Sequence, residues 1–308
     1  MPPALPASPP ASRTVGLVLA TVGAIAFSGK AIIIKLAYRY QVDAVTLIML
    51  RMLFALPFFV ALAWWAGRPR RGVVPPKLSL RDWLGVIGLG VSGYYLASFL
   101  DFAGLAYISA SLERLILYLN PTLVLLLGWL LYRRTVLRGQ MVGMAVSYAG
   151  VVLVFGRELH GAGSAAWWGA ALVFASAVSY AVYLIYSGQM VKRFGSLRLV
   201  GLASTVACIC CLLQFAVLRP WSSALAVAPQ VLWLSVLNAT ACTVVPVLLV
   251  MMAVERIGPA MTAQSGMVGP VSTILLGVLL LGEPFTAWLA VGTVLVMAGI
   301  FIFGRARA

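Results

Sequence analysis

Long apolar runs separated by short polar breaks make up almost the whole chain. From residue 14 onward each run is close to the roughly 20 residues that a helix needs to cross the hydrocarbon core of a bilayer. Read this way, the pattern predicts ten transmembrane helices, at 14–38, 44–66, 82–105, 107–131, 138–156, 167–190, 199–218, 230–252, 258–281 and 286–304. The one long connection, 67–81, contains RPRRGVVPPKLSLR. No stretch is left for a soluble domain, so the expected fold class is an all-α integral membrane protein. The proline-rich start, MPPALPASPPAS, is expected to be a disordered cytoplasmic segment over 1–13.

Composition agrees with the pattern. Hydrophobic residues make up 63% of the 308 positions and charged residues only 9%, against about 25% charged in a soluble domain. A formal net charge of +15 would fit nucleic acid in a soluble protein. Here the cations crowd into alternate short loops instead. Arg68, Arg70, Arg71, Lys77 and Arg81 follow the second run, Arg133, Arg134 and Arg138 the fourth, and Lys192, Arg193 and Arg198 the sixth. Arg13, Arg256, Arg305 and Arg307 fall on the same side, while the opposite loops carry only Arg39, Arg157 and Arg219. The positive-inside rule then places both termini in the cytoplasm of a multi-pass inner-membrane protein. Tryptophans mark the interfaces: Trp83, Trp167, Trp168, Trp233 and Trp288 open helices, and Trp64, Trp65 and Trp221 close them.

The chain also repeats itself. YISASLERLILYLNPTLVLLLGWLLY (107–132) aligns without a gap on RIGPAMTAQSGMVGPVSTILLGVLLL (256–281), which matches Pro121 to Pro270 and Gly128 to Gly277. Beyond them Gly143 matches Gly292, and Ala149-Gly150 matches Ala298-Gly299. Each half holds five helices, an odd number, so the copies must lie upside down relative to each other. The expected domains are a first repeat over 14–156 and a second over 157–308. Two inverted five-helix repeats are the architecture of alternating access.

The same residues carry a family resemblance. AYISAS and ERIGPAMTAQSGMVGPVSTILLGVLLLGEPF resemble the two EamA repeats of the drug/metabolite transporter superfamily, and AVTLIMLRMLFALPFF is similar to that family's second helix. The first half departs from the pattern, with Arg133-Arg134 where Gly282-Glu283 stands in the second. The resemblance implies a secondary exporter of small metabolites. Ten helices with no added domain look most like amino-acid exporters of the YddG type.

Other chemistry finds little support. GAIAFSGKA (23–31) misses the phosphate-binding loop spacing twice, at Ala24 and Ala31, and sits within a helix. The four cysteines all lie inside apolar runs and outline no disulfide framework, and the only histidine, His160, stands beside Glu158 in a loop. No metal, no cofactor and no nucleic-acid partner is expected. The glycines of GQMVG (139–143) predict close helix packing, within the chain or at a dimer face. A monomer is the expectation, with a dimer as the alternative.

Charges inside the runs are the strongest functional signal, because each is costly in lipid. At about 1.5 Å rise per residue, Lys30, Arg51, Asp101, Glu113 and Arg114 share one layer in the outer third of the membrane, as a structural ion network or a gate. Three cations and two carboxylates are expected to pair, leaving one cation for an anionic group. That balance argues for downhill transport with no obligatory proton. Nearer the midplane lie Ser28, Tyr94, Tyr95, Asn120, Tyr180, Tyr183, Asn238, Gln264 and Ser265, the candidate substrate contacts. Ser176, Tyr180, Tyr183 and Ser187 share one face of the sixth helix. Pro121 and Pro270 free the carbonyls of Leu117 and Gly266 and are candidate hinges. The expected substrate is a neutral or aromatic amino acid moved by alternating access, against the alternatives of proton-coupled drug or metabolite efflux, a membrane enzyme or a channel.

Overall fold

The computed structural model describes residues 10–69, 76–133, 137–162, 164–266 and 268–305, and a few side chains within these helices, Gln264 and His160 among them, lie outside that description. The expected disordered start, 1–13, is outside it up to residue 9, and a helix is already formed at Pro10.

The regular elements of the described residues are all helices. Among the described residues nine helices are long and apolar enough to cross a membrane, and Val268–Leu281 adds a shorter apolar one. The first span (Pro10–Tyr38), second (Ala44–Ala66), fifth (Arg138–Ala162), sixth (Ser164–Phe194), seventh (Ser196–Leu218) and tenth (Ala287–Arg305) are each a single helix. The other four are interrupted. The third runs through Leu80–Leu89, a π-helical Gly90–Leu96 and Ala97–Leu105, and the fourth breaks into Ala110–Leu117 and Asn120–Tyr132. The eighth begins as Pro229–Ala239 and π-helical Thr240–Val244.

Between the eighth and ninth spans the chain differs from the sequence reading. No break appears between 252 and 258, because a helix runs unbroken over Val245–Ser265. Neighbours on the first span show where the direction reverses. Gly16 faces Ile257 and Gly23 faces Val250, whereas Gly269 is already back beside Ser28. The helix therefore bends on itself past Ile257, and the ninth span continues through Val268–Leu276 and Gly277–Leu281.

Span pairing obeys a two-fold relation. The fifth packs on the tenth, the second on the seventh, and the first-on-eighth contact is mirrored by third-on-sixth. Glycines show it at atomic level. A methyl on Gly143 would meet the Gly299 carbonyl at 2.6 Å, and one on Gly150 would meet the Gly292 carbonyl at 2.6 Å. Because 143 corresponds to 292 and 150 to 299, these are one contact seen from each repeat. Gly143 of GQMVG thus packs inside the chain, where only a missing side chain permits the approach. The end tryptophans, Trp64, Trp167, Trp168 and Trp233 among them, are exposed, as an interfacial belt requires.

Candidate functional site

One face of the molecule carries the basic loops and is called here the basic face; the other is the far face. Toward the far face the five charged residues come together, but not as three cations pairing two acids. Lys30 Nζ lies 2.5 Å from Asp101 Oδ2 and 3.4 Å from Glu113 Oε1. The second approach lacks hydrogen-bond geometry, so both Glu113 oxygens are without a hydrogen-bond partner among the described residues. Both carboxyl groups are buried. Arg51 instead sends Nε to Thr243 Oγ1 at 3.1 Å and holds its guanidinium 5.2 Å from the centre of the Phe102 ring. Arg114 donates from Nη2 to Ser28 Oγ at 3.0 Å. The expected pairing is corrected for a simple reason: neighbours about 100° apart on a helix face different partners, and Glu113 turns toward Lys30 while Arg114 turns toward Ser28.

A cavity of about 350 Å³ lies against this layer, at the small end of the roughly 300–1,000 Å³ range of small-molecule sites. Lys30, Arg51, Asp101 and Arg114 line one end, with Tyr94, Tyr180 and Asn120 beside them. Its lining continues to Val200 and Met251, about one turn from the basic-face ends of the seventh and eighth spans. Tyr118, Ser98, Ser176, Ser204 and Thr243 also contribute.

The remaining candidates stand behind the wall. Tyr183 is buried and supports Tyr94, with their hydroxyls 3.1 Å apart and its ring stacked on Tyr180 at 5.5 Å. Ser28 is buried, its hydroxyl 2.9 Å from the carbonyls of Gly269 and Ala24. Tyr95 packs on the apolar core between the second and seventh spans. Asn238 is buried, and its carbonyl accepts from Thr243 Oγ1 at 2.8 Å. Ser265 ends a helix outside the described lining, and the Gln264 side chain lies outside the described residues.

Both candidate hinges coincide with helix breaks, and the carbonyls that the prolines free are satisfied. Leu117 O accepts from Asn120 Nδ2 at 2.8 Å, and Gly266 O accepts from Tyr118 Oη at 2.5 Å. The second bond joins the two repeats at their breaks.

Sequence reasoning missed the π-helical segments and Thr243. Applying the offset between the repeats puts Gly90–Leu96 on 239–245, over the second π segment, Thr240–Val244. A π turn widens the helix by one residue and is common at functional sites. Here it presents Tyr94 from the third span and Thr243 from the eighth to the same cavity. The repeat itself was the signal that could have found Thr243, which stands at the place of Tyr94.

Toward the far face, Glu283 joins the two repeats. Its Oε1 accepts the Ala110 N–H at 2.8 Å, and its Oε2 accepts the Ser111 hydroxyl at 2.6 Å and the Ser111 N–H at 3.3 Å. A carboxylate on unpaired N–H groups at a helix start is favourable by hydrogen bonding and by the helix dipole. This contact ties the far end of the ninth span to the start of the fourth, above the charge layer. On the same rim, burial raises the carboxyl of Asp43, but hydrogen bonds from Thr46 and Val45 and the Arg219 guanidinium 3.5 Å away outweigh it and hold the group below its usual range.

Comparison with known proteins accords with this architecture. The EamA-like transporter family matches twice, over residues 14–156 and 167–305. The uncharacterized transporter YcbK of Bacillus subtilis (strain 168) is 29% identical over 277 residues, covering 87% of this chain and 86% of its own. An uncharacterized transporter of Archaeoglobus fulgidus is 24% identical over 281 residues, covering 90% and 92%. A crystal structure at 18% identity shares the fold, with a TM-score of 0.63 over 94% of this chain and 97% of its own. Two matched repeats, helices long enough to span a bilayer and a cavity between them lead to one conclusion: the chain belongs to the EamA-like transporter family and is a multi-pass membrane transporter.

Proposed function

We propose that this transporter exports a small neutral or aromatic amino acid from the cytoplasm by alternating access. The observation that carries the reading is the cavity: cations at one end, tyrosines along the wall, and no cluster of cations at its centre such as a phosphate would need. Its lining approaches the basic face, while toward the far face Glu283 ties the ninth span to the fourth. The positive-inside rule makes the basic face cytoplasmic, so the resting cavity is offered to solutes inside the cell. Counterflow in proteoliposomes tests this directly. Trapped unlabelled L-phenylalanine or L-leucine should accelerate uptake of the labelled amino acid. Uptake unchanged by any trapped amino acid would remove the reading.

Coupling is read as downhill exchange, because Lys30 holds Asp101 at 2.5 Å and Glu113 does not line the cavity. A proton-driven version of the same carrier is the second reading, and one observation favours it. Among the described residues Glu113 shares its one ion-pair partner, Lys30, with Asp101 and accepts no hydrogen bond, so a proton gained there would balance the charge in another state of the cycle. Accumulation driven by an imposed pH gradient and lost in Glu113→Gln selects the second reading; no accumulation selects the first.

A further inference from the structure

Arg51 and Arg114 are two guanidinium groups lining one cavity with no carboxylate within 4.0 Å of either among the described residues. Both carboxylates of the layer are turned to Lys30. Arg51 is 6% exposed, and its Nη1 is buried with no hydrogen-bond partner among the described residues. Its other contacts, Thr243 Oγ1 and the face of Phe102, are neutral. A buried cation in that condition is costly unless an anion meets it, and a guanidinium presents a planar fork that matches a carboxylate.

We infer that Arg51 is the seat of the substrate's carboxylate, with Arg114 as the second cation of the same subsite. The inference rests on the cavity proposed above as the transport site and names the group it selects. Charge supports it. With two acids on Lys30, the layer holds one positive charge in excess, which a single carboxylate cancels. The tyrosines Tyr94 and Tyr180 on the same wall would receive an apolar or aromatic body. The site therefore requires the acid, and the α-amino group adds less. A monocarboxylate without an amine should bind, and an amine without a carboxylate should not.

The test uses purified full-length protein and three probes that share one ring: L-phenylalanine, 3-phenylpropionate and phenethylamine. Thermal unfolding should rise with the two acids and stay unchanged with the amine, because only a ligand of the folded state stabilises it. Arg51→Gln should bind the acids about 10- to 100-fold more weakly, the loss of one charge-assisted hydrogen bond, and Arg51→Lys should recover part of that loss. Arg51→Gln serves as evidence when it elutes as a single species; a variant that does not is replaced by Arg114→Gln, for which the same loss is expected. Stabilisation by the amine equal to that by the acids, no stabilisation by any probe, or acid binding unchanged in the variants would overturn the inference. Counterflow of labelled L-phenylalanine separates the two readings. Exchange that persists with unchanged apparent affinity in Arg51→Gln removes the subsite and leaves the carrier. Acid binding without any exchange removes the amino-acid carrier and leaves the subsite.

Discussion

The far end of the fourth span and the basic-face end of the ninth hold matched places in the two repeats, and their chemistry is opposite. At the far end, Glu283 accepts hydrogen bonds from Ala110 and Ser111 and ties the fourth span to the ninth. The offset that carries Pro121 to Pro270 carries Glu283 back to Arg134 and Ala110 forward to Pro259. Arg134 is itself outside the described residues. A cation stands where the acid would be, and a proline, which has no N–H, stands where the donor would be. The mirrored latch cannot form. The charge layer shows the same one-sidedness: Asp101, Glu113 and Arg114 correspond to Val250, Thr262 and Ala263. Inverted repeats give a carrier two equivalent shapes in principle. Here the side chains at matched places differ, and among the described residues the Glu283 contact ties the repeats on the far side.

Removing the cation of the first-repeat layer should have the largest effect. Lys30→Met leaves Asp101 and Glu113 buried without their shared partner, a change that costs about 3–5 kcal/mol. Thermal unfolding should show it, and adding Glu113→Gln should restore part of the loss. A Lys30→Met protein as stable as the wild type would break the claim that this repeat owns an ionic core. Next come the glycines that both repeats share. Gly150→Ala and Gly143→Ala each drive a methyl into a backbone carbonyl at 2.6 Å, so each should cost about 1–3 kcal/mol. Near-equal costs are expected, because the contacts are two-fold counterparts; a cost at one alone would contradict the symmetry.

The hinge prolines should matter least to stability. Pro121→Ala and Pro270→Ala should cost about 1 kcal/mol or less while slowing counterflow, since Asn120 and Tyr118 already satisfy the freed carbonyls. Exchange at the wild-type rate in both would remove the hinges.

How much of this could be read from the chain depends on the range of the interaction. Apolar length alone places nearly every span, because bilayer thickness fixes it. The glycine matches 143 to 292 and 150 to 299 fix the inverted repeat, and the fifth and tenth spans then meet as that repeat requires. Depth along a helix is also legible, and it brought Lys30, Arg51, Asp101, Glu113 and Arg114 to one level. What depth omits is rotation about the helix axis. Lys30 therefore takes both carboxylates, Arg51 takes Thr243, and Tyr95 turns to the core although Tyr94 lines the cavity. Within the second π segment the Thr243 hydroxyl donates to the Asn238 carbonyl, five residues back, a contact that no apolar pattern encodes. The Glu283 latch joins residues more than 170 positions apart, and only its acid, without its partner, shows in the sequence.

The central claim is that Glu283 holds the far side shut over a cavity reached from the basic face. Its most direct test places a cysteine at Ser98, in the cavity wall, and applies a membrane-impermeant maleimide from each face, with and without Glu283→Ala. The native cysteines give the background, measured in the protein without the Ser98→Cys change. With Glu283 intact, labelling should come from the basic face. Loss of the cap removes about 1–2 kcal/mol, so Glu283→Ala should raise far-face labelling roughly 5- to 30-fold. Labelling from the far face with Glu283 intact, or far-face labelling unmoved by Glu283→Ala, would contradict the account.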